Sequence, residues 1–207
     1  KKKSYPFFIP TVRQPYGFSG NFFNKEDLTT KVTQTLLEFA EKYKNEKIIF
    51  KSKIYYETEI MQERLIKKKN LTNCKFLKGG DPRELIRDAK VIISFNSTSA
   101  IESLILKKPL IFPYLNMEDK KKLENYTINL GDAAYKVYSS QSLIEYLEKI
   151  CNKEIDFPIE DQTYIDEILK RYIGNIDGKS SLRLLKTIEK ILNWMLNKIY
   201  YLIPNKM

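Results

Sequence analysis

The segment Asn96-Ser97-Thr98-Ser99-Ala100-Ile101-Glu102 carries the chain's most informative chemistry. It follows the apolar run Val91-Ile92-Ile93 and opens a stretch, Ser97 to Leu106, with the character of a helix. Small hydroxyl residues between a buried strand and a helix leave backbone N–H groups directed outward at the positive end of the helix dipole. Such a turn suits a diphosphate. Glu102, about one turn further on, can accept hydrogen bonds from a ribose diol. The same residues also spell a capping box, Ser99-x-x-Glu102, which satisfies the helix's own donors and needs no ligand. Glu102 cannot serve both purposes at once, whereas Ser97 and Thr98 remain available to phosphate in either case.

A second segment, Gly174-Asn175-Ile176-Asp177-Gly178-Lys179-Ser180, imitates a phosphate-binding P-loop but has three residues between its glycines where the motif requires four. It also follows a helical pattern rather than a strand. A plain turn and helix cap is the better reading, with Lys179 as a candidate ligand contact. The chain contains no histidine, which excludes Ser-His-Asp and Cys-His nucleophile systems and any histidine-based zinc site within it. Cys74 and Cys151 match no metal spacing and read as reduced, partly buried thiols of a cytosolic protein. No metal and no cofactor is expected.

The elements that must position these residues follow from apolar periodicity. Strands are expected at Tyr5 to Val12, Lys47 to Ile54, Asn73 to Leu77, Lys90 to Phe95, Pro109 to Pro113 and Tyr135 to Tyr138. The prolines of the first place it near a sheet edge or a domain junction. Helices are expected at Glu26 to Lys44, Glu57 to Lys69, Asp81 to Ala89, Ser97 to Leu106, Ser140 to Ile150, Asp161 to Arg171 and Ser180 to Tyr200. Asp81-Pro82-Arg83-Glu84 reads as a helix start, with Asp81 capping and Glu84 reaching back. The alternation predicts an α/β fold: a Rossmann-like parallel sheet with helices on both faces, plus C-terminal helices. We expect a sheet domain over residues 1–157 and a helical extension over 158–207, packing on that domain or on a preceding one.

The bulk numbers agree with a folded, basic protein. At 207 residues and 43% hydrophobic, the chain can build a core. Its 36 Lys and Arg against 26 Asp and Glu, a net charge of +10, favour acidic partners: nucleotide phosphates, an anionic membrane or nucleic acid. No apolar run approaches the roughly 20 residues that span a bilayer. The chain begins Lys1-Lys2-Lys3 without an initiator Met, which suggests a piece of a longer polypeptide.

The strand, the hydroxyl-rich helix start, Glu102, the small apolar helix and Lys108-Pro109-Leu110-Ile111 together resemble the second domain of GT-B glycosyltransferases. The variants most alike are bacterial capsule and surface-polysaccharide transferases, to which the UDP-N-acetylglucosamine 2-epimerases are related. The resemblance spans Tyr5 to Leu192, with Asn96 to Pro109 as its specific core. It implies that Ser97, Thr98 and Ser99 hold a nucleotide diphosphate and that Glu102 holds the ribose. Ile48-Ile49-Phe50-Lys51-Ser52-Lys53 resembles a strand that in many relatives ends in a basic-Pro-His-Pro segment. Here Pro-His-Pro is missing, and Lys51 or Lys53 would supply the charge. Phe76 to Ala89 resembles the base-binding loop and short helix, and Asp177 to Ser181 with Arg183 a segment near the end of several surface-carbohydrate transferases. Arg13, in the loop with Gly17 and Gly20, would face the cleft toward phosphates or acceptor, or simply lie in solvent.

The implied activity is glycosyl transfer from a nucleoside-diphosphate sugar to a surface-polysaccharide or lipid-linked acceptor. The catalytic base would lie in a preceding domain. An epimerase-like or hydrolase-like enzyme with the same phosphate site is the neighbouring alternative. A basic nucleic-acid-binding module is a third, set back by the lack of an arginine-rich recognition helix, a zinc motif or an RNP-like aromatic pattern. The C-terminal helix, with Trp194, Tyr200 and Tyr201, reads as a stripe packed on the core or as a peripheral contact at the inner face of a membrane.

Overall fold

The computed structural model describes residues 6–10, 25–52, 57–115 and 127–202. Among them six strands form one parallel sheet: β1 Pro6–Pro10, β2 Lys47–Ser52, β3 Cys74–Lys78, β4 Ile92–Ile93, β5 Leu110–Pro113 and β6 Tyr135–Val137. The helices are α1 Lys25–Lys42, α2 Glu57–Lys69, α3 Arg83–Asp88, α4 Thr98–Ile105, α5 Ser140–Cys151, α6 Gln162–Ile173 and α7 Ser180–Leu202.

Spatial strand order is β3-β2-β1-β4-β5-β6. The chain winds outward from β1 to β3, returns to place β4 against β1, then winds outward the other way. The order reverses between β1 and β4, and sheets of this kind hold their ligands beyond the strands' carboxyl ends at such a switch point. Of the two positions expected for β1, a sheet edge or a domain junction, the edge is corrected. The strand lies inside the sheet, paired with β2 from Pro6↔Lys47 to Pro10↔Lys51 and with β4 at Phe8↔Ile92. Pro6 and Pro10 are its first and last residues, so neither removes a donor from the middle of the ladder.

Burial follows the parallel arrangement. Ile92, Ile93, Phe95, Leu110 and Ile111 are wholly buried, as expected of strands covered on both faces. Helix α1 sends Leu28, Val32, Leu36 and Phe39 inward at helical spacing. Each such side chain contributes about 1.5–3 kcal/mol of transfer free energy. Two buried threonines of the same helix are hydrogen-bonded to neighbouring helices. Gln62 Nε2 donates to Thr33 Oγ1 at 2.9 Å, and Thr35 Oγ1 meets Ser140 Oγ at 2.8 Å. At the helix end, Lys42 and the Tyr43 hydroxyl both donate to Glu148 Oε1 on α5, at 2.8 and 2.6 Å.

The chain divides into two compact units, residues 1–165 and 166–207. The second contains most of α6 and all of α7. Between the two helices, Gly178 adopts φ +71°, and Arg183 Nη1 donates to both oxygens of Asp177 at 2.9 and 2.8 Å. The P-loop lookalike therefore follows a helix and is a turn and cap. Every described side chain of α7, from Ser180 to Lys198, is exposed.

Candidate functional site

Strand β4 lies at this reversal point, beside β1. Ser94 N–H donates to Ile111 O at 3.0 Å, which holds the chain beside β5 one residue past the strand. Asn96 then takes φ +49°, the left-handed region, and turns the chain from strand into helix. Asparagine is one of the few residues that tolerates this region. Its Oδ1 accepts the Ile128 N–H at 3.2 Å, so the turn is tied to the segment leading to β6.

Ser97 is the N-cap of α4, with extended backbone angles and its Oγ accepting the Ser99 N–H at 3.5 Å. The Ser97 and Ser99 hydroxyls lie 2.8 Å apart, and Ser103 Oγ donates to the Ser99 carbonyl at 2.6 Å. Helix α4 thus starts at Thr98, two residues before a Ser99 cap would allow its first turn. Ser99 lies inside the first turn and Glu102 is the fifth helical residue, so the capping box Ser99-x-x-Glu102 does not form. Ser99 is buried, Ser97 and Glu102 are half-buried and Thr98 is exposed. The outward-facing hydroxyls are those of Ser97 and Thr98, and Ser99 acts on the turn from beneath.

Lys51 is the penultimate residue of β2, with β1 between β2 and β4, about 10 Å across the sheet. It is only 6% exposed, and its Nζ donates to Ser52 O at 2.9 Å. Its charge reaches Asp81, whose carboxyl is held down to about 2, first by the Arg83 side chain, next by the Arg83 N–H, and more weakly by Lys51. Arg83 Nε donates to Asp81 Oδ2 at 2.7 Å and Arg83 N–H to Asp81 Oδ1 at 2.9 Å. The guanidinium is raised above its ordinary value by Asp81 and, less strongly, by Glu102. Lys51, Asp81, Arg83 and Glu102 therefore form one electrostatic neighbourhood drawn from three parts of the chain.

Arg83 lies within the Phe76 to Ala89 segment but was not singled out there. The expected cap also differs: Pro82 occupies the N-cap of α3 with no side-chain capping bond, and Asp81 instead closes a turn onto Arg83. The signal that could have found the pair was an Asp-x-Arg step just after a strand. Of the remaining candidates, Lys179 is exposed in the second unit, its N–H donating to Asp177 Oδ1 at 3.0 Å. Arg13 and Lys53 lie outside the described residues.

The neighbouring chemistry is sparse. A cavity of about 10 Å³, lined by Phe112, Tyr114, Thr127, Ile128 and Lys136, has room for a single water. Cys74 and Cys151 are free, and burial pushes their thiols up to about 11 and about 12, which makes them poor nucleophiles. Among the described residues no group of His, Cys, Asp and Glu is arranged to hold a metal ion. No helix there is long and apolar enough to cross a membrane.

No family model and no curated protein matches the chain. Solved structures do. The UDP-GlcNAc 2-epimerase of Neisseria meningitidis, bound to UDP-GlcNAc, superposes with TM-score 0.50 at 16% identity over 92% of this chain and 45% of its own. The C-terminal domain of a group 1 family glycosyl transferase from Francisella tularensis gives TM-score 0.51 at 15% identity, covering 84% of this chain and 87% of that domain. The pneumococcal O-GlcNAc transferase in complex with UDP and GlcNAc gives 0.53 at 10% identity, covering 91% of this chain and 36% of that one. The chain spans under half the length of the epimerases it resembles. It has the Rossmann-like fold of the C-terminal domain of GT-B glycosyltransferases and UDP-GlcNAc 2-epimerases.

Proposed function

We propose that this chain is the donor-binding part of a glycosyltransferase that moves a sugar from a nucleoside-diphosphate sugar to a surface-polysaccharide or lipid-linked acceptor at the cytoplasmic face of a membrane. The observation that carries the reading is the Asn96–Thr98 turn at the sheet's reversal point, in a fold whose neighbours include enzymes solved with UDP or UDP-GlcNAc. In this reading residues 1–157 bind the donor and 158–207 form a helical extension.

The α4 N-terminus, with the Ser97 and Thr98 hydroxyls, holds the diphosphate, and Ser99 braces the turn. Glu102 takes the ribose diol, within the field of the Arg83 guanidinium. Lys51 adds positive charge from β2, and Lys179, Arg13 and Lys53 are further candidates for donor contacts. Helix dipole and lysine charge stabilise the diphosphate as it leaves, which needs no metal. The base that activates the acceptor is assigned to another part of the enzyme. An epimerase would use the same diphosphate contacts.

Calorimetric titration with UDP, CDP and GDP tests the reading. One of them is expected to bind, and Ser97→Ala to weaken that binding about tenfold or more, as loss of a hydrogen bond to a charged group does. Failure of all three to bind would sink it.

A further inference from the structure

Three serines around the first turn of α4 differ in what their hydroxyls are bonded to. Ser99 is 3% exposed, and its Oγ lies 2.8 Å from Ser97 Oγ, the one partner of that oxygen among the described residues. Either oxygen could donate across that distance, and burial decides which does. If Ser97 donated, the Ser99 proton would be left unbonded in the interior, which is costly. If Ser99 donates, the Ser97 proton is released toward the outer side of the half-buried turn, where solvent or a ligand can take it. Ser99 is therefore the donor. Ser97 Oγ then accepts twice, from the Ser99 hydroxyl and from the Ser99 N–H at 3.5 Å, which occupies both of its lone pairs. What Ser97 offers outward is a proton.

A second hydroxyl points to the same ligand. Ser94, one residue past β4, is 1% exposed, and its Oγ has no hydrogen-bond partner among the described residues. The sheet register fixes its side. Ile93, Ile111 and Tyr135 are paired in register and share one side, where the Tyr135 ring packs on Tyr146 of α5. Ser94 follows Ile93 in extended chain and stands on the opposite side, as Phe112 does after Ile111. Asn96 is tied to Ile128, which lines a cavity with Phe112, so the turn lies on that side too. The Ser94 hydroxyl thus sits under the turn that Asn96 and Ser97 form. Buried hydroxyls are almost always bonded, and an unspent one beneath a helix N-terminus suits an anion's oxygen.

We propose that the turn from Ser94 to Ser99 is a donor cradle for an ionised diphosphate. Ser99 is its positioning residue: it touches no ligand and turns the Ser97 proton outward. Ser94 keeps its proton for the innermost oxygen of the same group, and backbone N–H groups of the first turn complete the set. An ionised phosphate only accepts, so it matches both protons, whereas an ammonium finds no acceptor on Ser97. The anion's identity as the donor's diphosphate rests on the reading above.

With serine labelled at ¹³Cβ, a slowly exchanging hydroxyl splits its signal in an equal mixture of H2O and D2O. In the ligand-free chain Ser99 is expected to split and Ser97 to remain single. Splitting at Ser97 would place its proton inward and overturn the proposal. Titration with UDP, CDP, GDP and inorganic pyrophosphate gives a second arm. Ser99→Ala should weaken diphosphate binding about fivefold or more, as loss of a hydrogen bond to a charged group does. The same change should leave the affinity of Ser97→Ala unaltered. An equal loss in both backgrounds would make Ser99 a packing residue and sink its assignment. Ser94→Ala should weaken binding with the melting temperature unchanged or higher, because it removes an unbonded hydroxyl. A lower melting temperature would reveal an internal partner and take Ser94 out of the cradle. If pyrophosphate binds and no nucleotide does, the cradle stands and the donor-binding reading fails. If nothing binds, the cradle fails as well.

Discussion

Helices α4 and α7 carry similar apolar patterns and end in opposite situations. Five of the eight residues of α4, from Ser99 to Leu104, are buried. Helix α7 has 23 residues, and all of its described side chains are exposed. The difference is in what precedes each helix. Helix α4 leaves a buried strand through a left-handed asparagine and is pressed onto the sheet. Helix α7 leaves a surface turn built on Asp177 and Arg183, which orders its N-terminus but gives its apolar face no cover. Amphipathicity states that a face is to be covered. It does not state by what.

The widest expected separation between the two regions is in stability. Ile92→Ala, beside α4, removes a fully buried side chain and should cost about 2–5 kcal/mol in urea unfolding. Ile191→Ala on α7 should stay within about 0.5 kcal/mol. Equal losses at the two sites would mean that α7 is covered in solution, and would break the comparison.

A smaller effect tests what orders α4. Asn96 combines a positive φ with a hydrogen bond to Ile128. Asn96→Ala loses both and should cost about 1–3 kcal/mol. Asn96→Gly restores conformational freedom and should recover part of that. The order Ala worse than Gly, read from thermal unfolding, identifies backbone strain as one component, and the reverse order removes it.

The smallest effect is electrostatic. The Asp81 carboxyl is lowered from 3.8 to about 2, chiefly by Arg83. A carboxyl depressed in the folded state stabilises it above its unfolded value and loses that contribution as pH falls toward the folded one. The Asp81–Arg83 pair should therefore be intact at neutral pH and lost as pH falls from about 4 to 2. A carboxyl ¹³C titration of Asp81 should show the depressed midpoint in the parent and a return toward 3.8 in Arg83→Ala. The pair is exposed, so its effect on overall stability is small.

Much of this molecule was legible from its residues. Val91-Ile92-Ile93 and Leu110-Ile111-Phe112 are apolar without alternation, as strands covered on both faces must be, and the alternation with helical periods gave the parallel α/β fold. The hydroxyl turn was legible for the same reason, since residue type and order alone place it between strand and helix. Its capping was not. Ser97 and Ser99 are chemically equivalent candidates, and only the backbone angles set by Asn96 choose between them. The place of β1 was also out of reach, because proline at the end of an inner strand reads like proline on an edge until the partners are seen. The same holds for Arg83 and Asp81. Their proximity to Lys51 and Glu102 depends on which strands are neighbours, and strand order is a property of long-range contacts. Sequence determined the period of each element and the chemistry of its turns, because those depend on residues close in the chain. Tertiary structure decided which charges share a site, because residues far apart in the chain meet only when the sheet is assembled.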